Sequence, residues 1–503
     1  MALSLATLAG IVIVVVLAFN VVGRVRAYSR LSHVPGPRLA AWSRLWIVRA
    51  GTSGRNHEYY YEANVRYGPL ARIGPNHLLT SDPDIIRRMN APRSPYRRSG
   101  WYSTFRFKPR SDNIISVTSE ERHEELRKKM AAGYGGKEVP FLESYIDKHI
   151  KEWVELIRQK YISTAHETKP MDMGRTAQYF TLDVISDLAF NHPFGDIPED
   201  TDKFGYIKTT EDSISAMQFL SAFPHVHRWI EQSRLMDLLA PKAKDRTGLG
   251  RVVGIAHSMV AERFGNDSKG RDAPDMLGSF LRHGLTQEEA ESETVLQIMA
   301  GSDTSATIIR VVVLNVITSP HILGRLRAEI DEAIRDGKIS SPIKDSEAKQ
   351  LPYLQSVIKE ALRLWPPVTG LVQKVVGPEG DTIDGKFIPG GTFIGQNSWA
   401  LGRNESIYGP DFALYRPERW LEASGKDLVA MERNSELTFG YGRFKCLGQP
   451  VALMELNKVF VELFRRFDMA VMNPAKPWSS ESFGIFLQKD FWVRITERSP
   501  NRK

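Results

Sequence analysis

Phe439-Gly440-Tyr441-Gly442-Arg443-Phe444-Lys445-Cys446-Leu447-Gly448 contains the only cysteine in a chain of 503 residues. A lone cysteine forms no internal disulfide, and it cannot supply a zinc site built from several thiolates. One thiolate can, however, be the single protein ligand of a haem iron and leave the opposite face open for dioxygen. The neighbours suit that task. Gly440, Gly442 and Gly448 let a tight backbone loop come close to a flat ring. Backbone N–H groups turned toward the sulfur would stabilise its anion and tune its donor strength. Downstream, Val451–Phe467 is apolar-periodic and reads as a helix whose N-terminal dipole favours the thiolate.

This loop resembles the haem-binding signature of the cytochrome P450 family, Phe-x-x-Gly-x-Arg-x-Cys-x-Gly. Phe439, Gly442, Cys446 and Gly448 fall in place, while Phe444 occupies the arginine position and Arg443 lies one residue earlier. Arg443 is the candidate substitute for the missing cation. Glu360-Ala361-Leu362-Arg363 lies on a helix expected from about Pro352 to Leu364, opened by a proline and closed before Trp365-Pro366-Pro367. Glu360 and Arg363 share a helical face. Arg416-Pro417-Glu418-Arg419-Trp420 resembles the family's Pro-Glu-Arg-Phe element, with Trp replacing Phe. The resemblance implies a buried structural triad of Glu360, Arg363 and Arg419, joined by bidentate guanidinium contacts. It covers nearly the whole chain. It implies a mainly α, single-domain haem-thiolate fold with a small β region, preceded by an N-terminal transmembrane helix.

Ala2 to Gly23 carries no charged side chain, and Ile11 to Leu17 is continuously aliphatic. Roughly 20 such residues span a bilayer's hydrocarbon. Arg24, Arg26 and Arg30 follow at once, and the positive-inside rule puts the remainder in the cytosol. The near absence of cysteine also argues against an oxidising lumen. Three segments result: a transmembrane anchor at 1–23, a basic and proline-rich hinge at 24–40 that includes His33-Val34-Pro35-Gly36-Pro37, and one catalytic domain at 41–503. A single-pass protein of the endoplasmic reticulum, with its catalytic domain in the cytosol, is the reading. Residues 24–110 hold 17 Lys and Arg against four acids, an excess of +13 in a chain whose total is +8. A basic lobe beside an anchor suits membrane lipid with anionic headgroups. Nucleic acid is excluded as a partner, because no stacking-aromatic or helix-turn-helix pattern accompanies the arginines.

Helical periodicity marks Tyr179–Leu188, Arg251–Phe264 and Pro320–Arg335. Gly68–Thr80 reads as a hairpin, and Gly380–Ile394 as a second β stretch with turns at Asp384-Gly385 and Pro389-Gly390-Gly391. Thr286-Gln287-Glu288-Glu289 is a capping box that starts a helix running to Thr318. Its middle, Ala300-Gly301-Ser302-Asp303-Thr304, places a glycine and short polar residues in an apolar helix. Gly301 costs about 1 kcal/mol there against alanine, and the polar side chains favour a local bulge. The pentapeptide resembles the acid–alcohol pair of monooxygenases of the family. Gly301 is then expected to leave space for dioxygen, Thr304 to donate a hydrogen bond where oxygen is activated, and Asp303 to relay protons from solvent.

His123-Glu124-Glu125-Leu126-Arg127 is similar to the family's Trp-x-x-x-Arg element. His123 and Arg127 lie four apart on one helical face and can both reach a haem propionate. Lys374, after the proline pair, is the third candidate cation, as a point charge without arginine's fork. By family position the substrate walls are Trp101, Phe105, Ile298, Met299, Ala300, Val368, Leu371, Ile485 and Phe486, mostly apolar, so that burial drives binding.

The resemblance therefore implies a monooxygenase carrying heme b that inserts one atom of O2 into a lipophilic substrate by hydroxylation or oxidative demethylation. Electrons come from NADPH through a separate NADPH-cytochrome P450 reductase, with cytochrome b5 as an additional partner, since the chain has no Gly-x-Gly-x-x-Gly dinucleotide motif. Arg122, Lys128, Lys129 and Lys445 form the candidate docking face. In detail the chain is similar to microsomal enzymes of filamentous fungi, among them the pisatin demethylase-like group. That similarity implies secondary-metabolite biosynthesis or detoxification of plant compounds. The rival readings are a haem-thiolate isomerase or dehydratase acting on a peroxide, and a non-catalytic haem-binding sensor. The Asp303-Thr304 pair speaks against both.

Overall fold

Seven helices bear on the site and are numbered in chain order: α1 (Leu5–Arg30), α2 (Glu120–Tyr134), α3 (Met173–Phe190), α4 (Tyr206–Ser221), α5 (Gln287–Ile317), α6 (Pro352–Leu364) and α7 (Gln449–Arg466). They come from a computed structural model that describes residues 5–233, 245, 248–265 and 272–499. The capping box at the start of α5 forms as expected. Thr286 accepts from the Glu289 N–H at 3.3 Å, and the Glu289 carboxylate accepts from the Thr286 N–H at 2.7 Å. α6 matches its expected bounds, and so does Pro320–Arg335. α3 extends beyond the expected Tyr179–Leu188 at both ends, capped by the Asp172 side chain and closed by Asn191 in the left-handed region.

The main core is built where α3, α5 and α7 meet, around Phe180, Leu188, Ile308, Ile309, Phe460 and Phe464. α5 is long and apolar enough to cross a membrane, but it is mostly buried inside the protein. Its apolar character therefore serves the core.

The small β part contains a five-stranded sheet. The hairpin of β1 (Leu70–Gly74) and β2 (His77–Thr80) forms as expected. Two strands follow, β3 (Arg97–Arg98) and β4 (Lys374–Val375), and then β5 (Phe393–Gln396). The strand order is β1-β2-β5-β4-β3. The stretch Gly380–Ile394 does not act as one β unit. Asp381–Ile383 and Lys386–Ile388 pair with each other, whereas β5 joins β2 in parallel. The left-handed turn at Asp384-Gly385 closes the small hairpin, and β5 is left to satisfy its ladder elsewhere. Near the C-terminus, β6 (Ser479–Ser482) and β7 (Phe486–Lys489) form a second hairpin.

The segment 24–40 is not a free hinge. α1 continues to Arg30, whose guanidinium donates to the Gly390 carbonyl at 2.6 Å. Arg72 donates to the Ala27 and Tyr28 carbonyls, and its backbone N–H donates to Pro35. Leu31 and Val34 are buried in a core cluster with Leu70 and Leu78. A Cβ on Gly36 would collide with the Arg72 carbonyl oxygen. Apolar side chains at 31 and 34 bind the stretch to the sheet.

Candidate active site

The cysteine loop is held by its own backbone. The Cys446 N–H donates to the Phe439 carbonyl at 2.7 Å, and Gly440 and Gly442 take positive φ of 76° and 58°. A Cβ on Gly442 would meet the Asn90 carbonyl oxygen, so glycine there allows a close backbone approach. Gly448 has ordinary helical φ and occupies the N-cap of α7. Burial pushes the Cys446 thiol above its ordinary range. The N–H groups of Gly448 and Gln449 and the Arg127 guanidinium pull the other way. Yet Cys446 retains accessible surface.

On α5, Ala300 is exposed and Gly301 and Thr304 are half-buried, in the middle of a helix whose other faces are packed. No bulge forms at the pentapeptide, and α5 is continuous from Gln287 to Ile317. The hydroxyls are satisfied inside the helix: Thr304 donates to the Ala300 carbonyl at 2.8 Å, and Thr307 to that of Asp303 at 2.9 Å. A Cβ on Gly301 would lie 2.7 Å from Ile185 Cγ1. The glycine thus makes room for α3 to close on α5, and its missing side chain does not point into open space. Asp303 is buried, unlike Ala300 one turn earlier. Its carboxylate accepts from the Tyr206 hydroxyl at 2.7 Å and from the Gln178 amide. Burial pushes it up to about 6, against the pull of Tyr206, Arg310 and Gln178.

Five basic side chains gather around Phe444. Arg98 and Lys374 are direct partners across β3 and β4. His123 and Arg127 come from α2, and Arg443 from the loop. Like charges directly opposite on paired strands repel. Burial and Arg98 pull Lys374 down to about 6. His123 is pulled down to about 2 by burial and by Arg98, Arg127, Lys374 and Arg443. Arg443 pairs with Glu120 at 2.6 Å, and Arg127 donates to the Lys445 carbonyl at 2.6 Å. Arg98 Nε, His123 Nδ1, Lys374 Nζ and Arg443 Nε are buried with no hydrogen-bond partner among the described residues. Buried donors without acceptors are costly. The cluster therefore fits a ligand that brings negative charge to the side of the cysteine loop. Arg98 lay in the basic N-terminal run, with no local motif to single it out.

The triad forms. Arg363 grips Glu360 bidentately at 2.8 and 2.7 Å, and Arg419 Nε reaches the same carboxylate at 3.0 Å. All three side chains are buried. Trp420 adds a hydrogen bond from Nε1 to Glu360 at 2.9 Å, which a phenylalanine could not make.

The expected substrate walls divide in two. Val368 and Ile485 meet through a β-bridge, and Met299, Ala300, Phe105, Val368 and Ile485 all keep accessible surface. Ile298 and Leu371 are buried in core clusters. Phe486 packs against His57, Trp365 and Trp399 with centroids 5.1–5.7 Å apart. Trp101 is buried against Phe105. These four are supports and not open walls, because their neighbours on adjoining elements already cover them. The candidate docking face is also less basic than its sequence. Arg122 pairs with Glu125 and Glu289, Lys128 with Glu124, and Lys129 with Glu125.

A family model for cytochrome P450 matches residues 34–490. The chain is a cytochrome P450. Among its relatives, this P450 is 42% identical over 479 residues to cytochrome P450 monooxygenase ABA1 of Pyricularia oryzae, covering 94% of this chain and 93% of that one. It is 40% identical over 470 residues to cytochrome P450 monooxygenase aba1 of Botryotinia fuckeliana, covering 93% and 92%. It is 30% identical over 488 residues to cytochrome P450 monooxygenase gsfF of Penicillium aethiopicum, covering 94% and 95%. The P450 is thus an oxidoreductase of the monooxygenase class. Its family uses haem on a cysteine thiolate, O2, a lipophilic substrate and electrons from a reductase.

Proposed function

We propose that this P450 holds heme b on Cys446 and oxidises a mid-sized lipophile by hydroxylation or oxidative demethylation. The observation that carries the reading is the group of Arg98, His123, Arg127, Lys374 and Arg443 beside the lone cysteine, with four buried nitrogens lacking partners. A flat ring bearing two carboxylates supplies the acceptors that Glu120 alone does not. Haem, once bound to a thiolate, supplies the electron-rich iron that activates O2.

The chain's own residues do the rest. Cys446 would ligate the haem iron as the thiolate, which the N–H groups of Gly448 and Gln449 and the Arg127 guanidinium favour against the effect of burial. Arg98, Arg127 and Lys374 hold the ring carboxylates, and His123 donates a hydrogen bond beside them. Arg443 is shared with Glu120. Glu360, Arg363 and Arg419 brace the helix behind the loop. On α5, Thr304 would order a hydrogen bond where oxygen is activated, and Asp303 would take protons from solvent and pass them on. Met299, Ala300, Val368 and Ile485 exclude water and bind the substrate by apolar burial.

Electrons come from NADPH through NADPH-cytochrome P450 reductase, with cytochrome b5 as a second donor. α1 anchors the protein in the endoplasmic reticulum membrane. Ile11, Val14, Val15, Val21 and Val22 are exposed on it, next to Arg24, Arg26 and Arg30, which supports an anchor with the catalytic body in the cytosol. The fungal relatives support a role in secondary-metabolite biosynthesis or detoxification of plant compounds. Cys446→Ser tests the core of the reading. The carbon-monoxide absorption band of thiolate-ligated haem should vanish, and an unchanged band removes Cys446 as the ligand.

A further inference from the structure

Asp303 is enclosed on every side that the fold shows. One carboxylate oxygen accepts from Tyr206 on α4 and the other from Gln178 on α3. Arg310, one further residue of α5, locks Gln178 in turn with a 2.7 Å hydrogen bond and holds the Gly174 carbonyl at 2.6 and 2.9 Å. A group that must be reprotonated from water after each cycle cannot remain sealed.

A small cavity lies against this carboxylate, bounded by Gln178, Asp303, Arg310, Glu211, Arg175 and Gln488. The space open to a water's centre is about 10 Å³, close to what one molecule occupies. Gln488 of β7 lines it and is 4% exposed, yet neither its amide nitrogen nor its amide oxygen has a partner among the described residues. A buried primary amide with both ends free is costly unless a water meets it. At the outer side, Glu211 of α4 is paired with Arg175 at 3.0 Å and Lys489 at 3.3 Å. Both bases are about one-third exposed, and the Glu211 side chain is 17% exposed. The cavity therefore has a polar floor at Asp303, an unpartnered amide in its wall and a charged mouth at solvent.

We infer that protons reach Asp303 through this cavity, with Glu211 as the group at the entrance and Gln488 holding the water between the two carboxylates. The inference rests on the reading of Asp303 as a proton relay and adds the route by which it is refilled. For each proton that Asp303 passes toward the substrate side, one enters from solvent at the Glu211 carboxylate, crosses the water and protonates Asp303. Only O–H bonds break and form, and no electron moves. Gln488 is a positioning residue, whereas Glu211 takes up the proton and hands it to the water. Tyr206 is the latch that keeps Asp303 turned toward the cavity, and it ties the relay to α4. Burial pushes the Asp303 carboxyl up to about 6, so that it changes protonation state close to neutral pH.

The test reads solvent access to the carboxyl directly. The full-length, haem-loaded protein at pH 5 is mixed with D2O. The Asp303 carboxyl stretch, assigned by its loss in Asp303→Asn, is followed by infrared difference spectroscopy as it becomes deuterated. Gln488→Leu, which replaces an unpartnered amide by an apolar group of similar size, should preserve the fold and slow the exchange at least tenfold. Glu211→Gln should slow it several-fold. Exchange at the wild-type rate in both variants overturns the route. So does exchange that is unchanged in them but slowed by Thr304→Val, which would place access on the opposite side of α5. Failure of the relay reading itself is seen separately, as turnover in Asp303→Asn that equals wild type.

Discussion

The Lys374 ammonium lies 3.2 Å from the centre of the Phe444 ring. The Arg98 guanidinium is 4.7 Å from the same ring. Phe444 stands where the family's signature has arginine, so in this P450 the basic groups that surround that point come from β3, β4, α2 and Arg443 of the loop itself. A cation over an aromatic face gains a fraction of what a carboxylate offers. On the proposed reading, the ring of Phe444 shields a charge that haem binding then satisfies.

Lys374→Leu should therefore weaken haem retention. A hydrogen bond to a charged group is worth about 1.5–3 kcal/mol, which corresponds to roughly 10- to 100-fold faster transfer of haem to an acceptor such as apomyoglobin. Lys374→Arg should recover most of the loss. Equal transfer rates in wild type and Lys374→Leu would remove Lys374 from the propionate site.

Glu360 accepts from two buried arginines, from Trp420 and from the Arg416 backbone. Removing one partner of a buried ion pair costs about 3–5 kcal/mol. Glu360→Ala should show that loss in urea denaturation, together with poor haem incorporation. Trp420→Phe deletes one hydrogen bond to the carboxylate and should cost about 2 kcal/mol. A silent Trp420→Phe would mean that the tryptophan contributes by packing alone.

Thr304→Ala should keep haem content and substrate binding near wild type while product per NADPH falls. Losing a positioned hydrogen-bond donor is worth on the order of 10²-fold. Product and hydrogen peroxide released per NADPH consumed, with reductase supplied, measure it. Full coupling in Thr304→Ala makes the threonine a packing residue, held by its bond to Ala300. Product formed at full rate from a hydroperoxide without NADPH would instead favour the isomerase reading.

Asp303 also carries a stability signature. Its folded-state value of about 6 lies above the ordinary 3.8, so the protonated form is favoured by folding. Stability linked to it is complete below pH 4 and is lost as pH rises through 6. A shift of this size is worth about 3 kcal/mol. Asp303→Asn should be the more stable protein at pH 8, by up to about that amount, with the difference vanishing near pH 4. Denaturation curves at the two pH values check it, and a variant that is weaker at both would show that the carboxylate's hydrogen bonds dominate.

Ile485 and Phe486 are neighbours that should behave differently. Ile485 has accessible surface beside Val368, whereas Phe486 is 1% exposed in an aromatic cluster. Ile485→Ala should weaken binding of terpenoid or polyketide lipophiles by about 1.5–3 kcal/mol, read as a change in the haem-band titration. Phe486→Ala should cost about 3–5 kcal/mol of stability. Spectral binding confined to small charged metabolites would contradict an apolar pocket.

Much of this site is written locally. The cysteine loop, the capping box of α5 and the bounds of α6 depend on residues within a few positions of one another, and local backbone preference decides them. Glu360 and Arg363 are three apart on one helix, so their pairing is legible too. Tyr206 and Gln178 reach Asp303 from 97 and 125 residues away, and only the packing of α3 and α4 on α5 selects them. The same holds for Arg98, which becomes part of the cation cluster because β3 pairs with β4. The expected bulge in α5 does not form, and the segment 24–40 is held to the body because Leu31 and Val34 find a core. The sequence by itself determined the cysteine loop, the helical scaffold and the family. The tertiary structure decided which charges meet, which way Asp303 faces and which apolar side chains stay open, because long-range burial and hydrogen-bond competition are settled only when the elements pack.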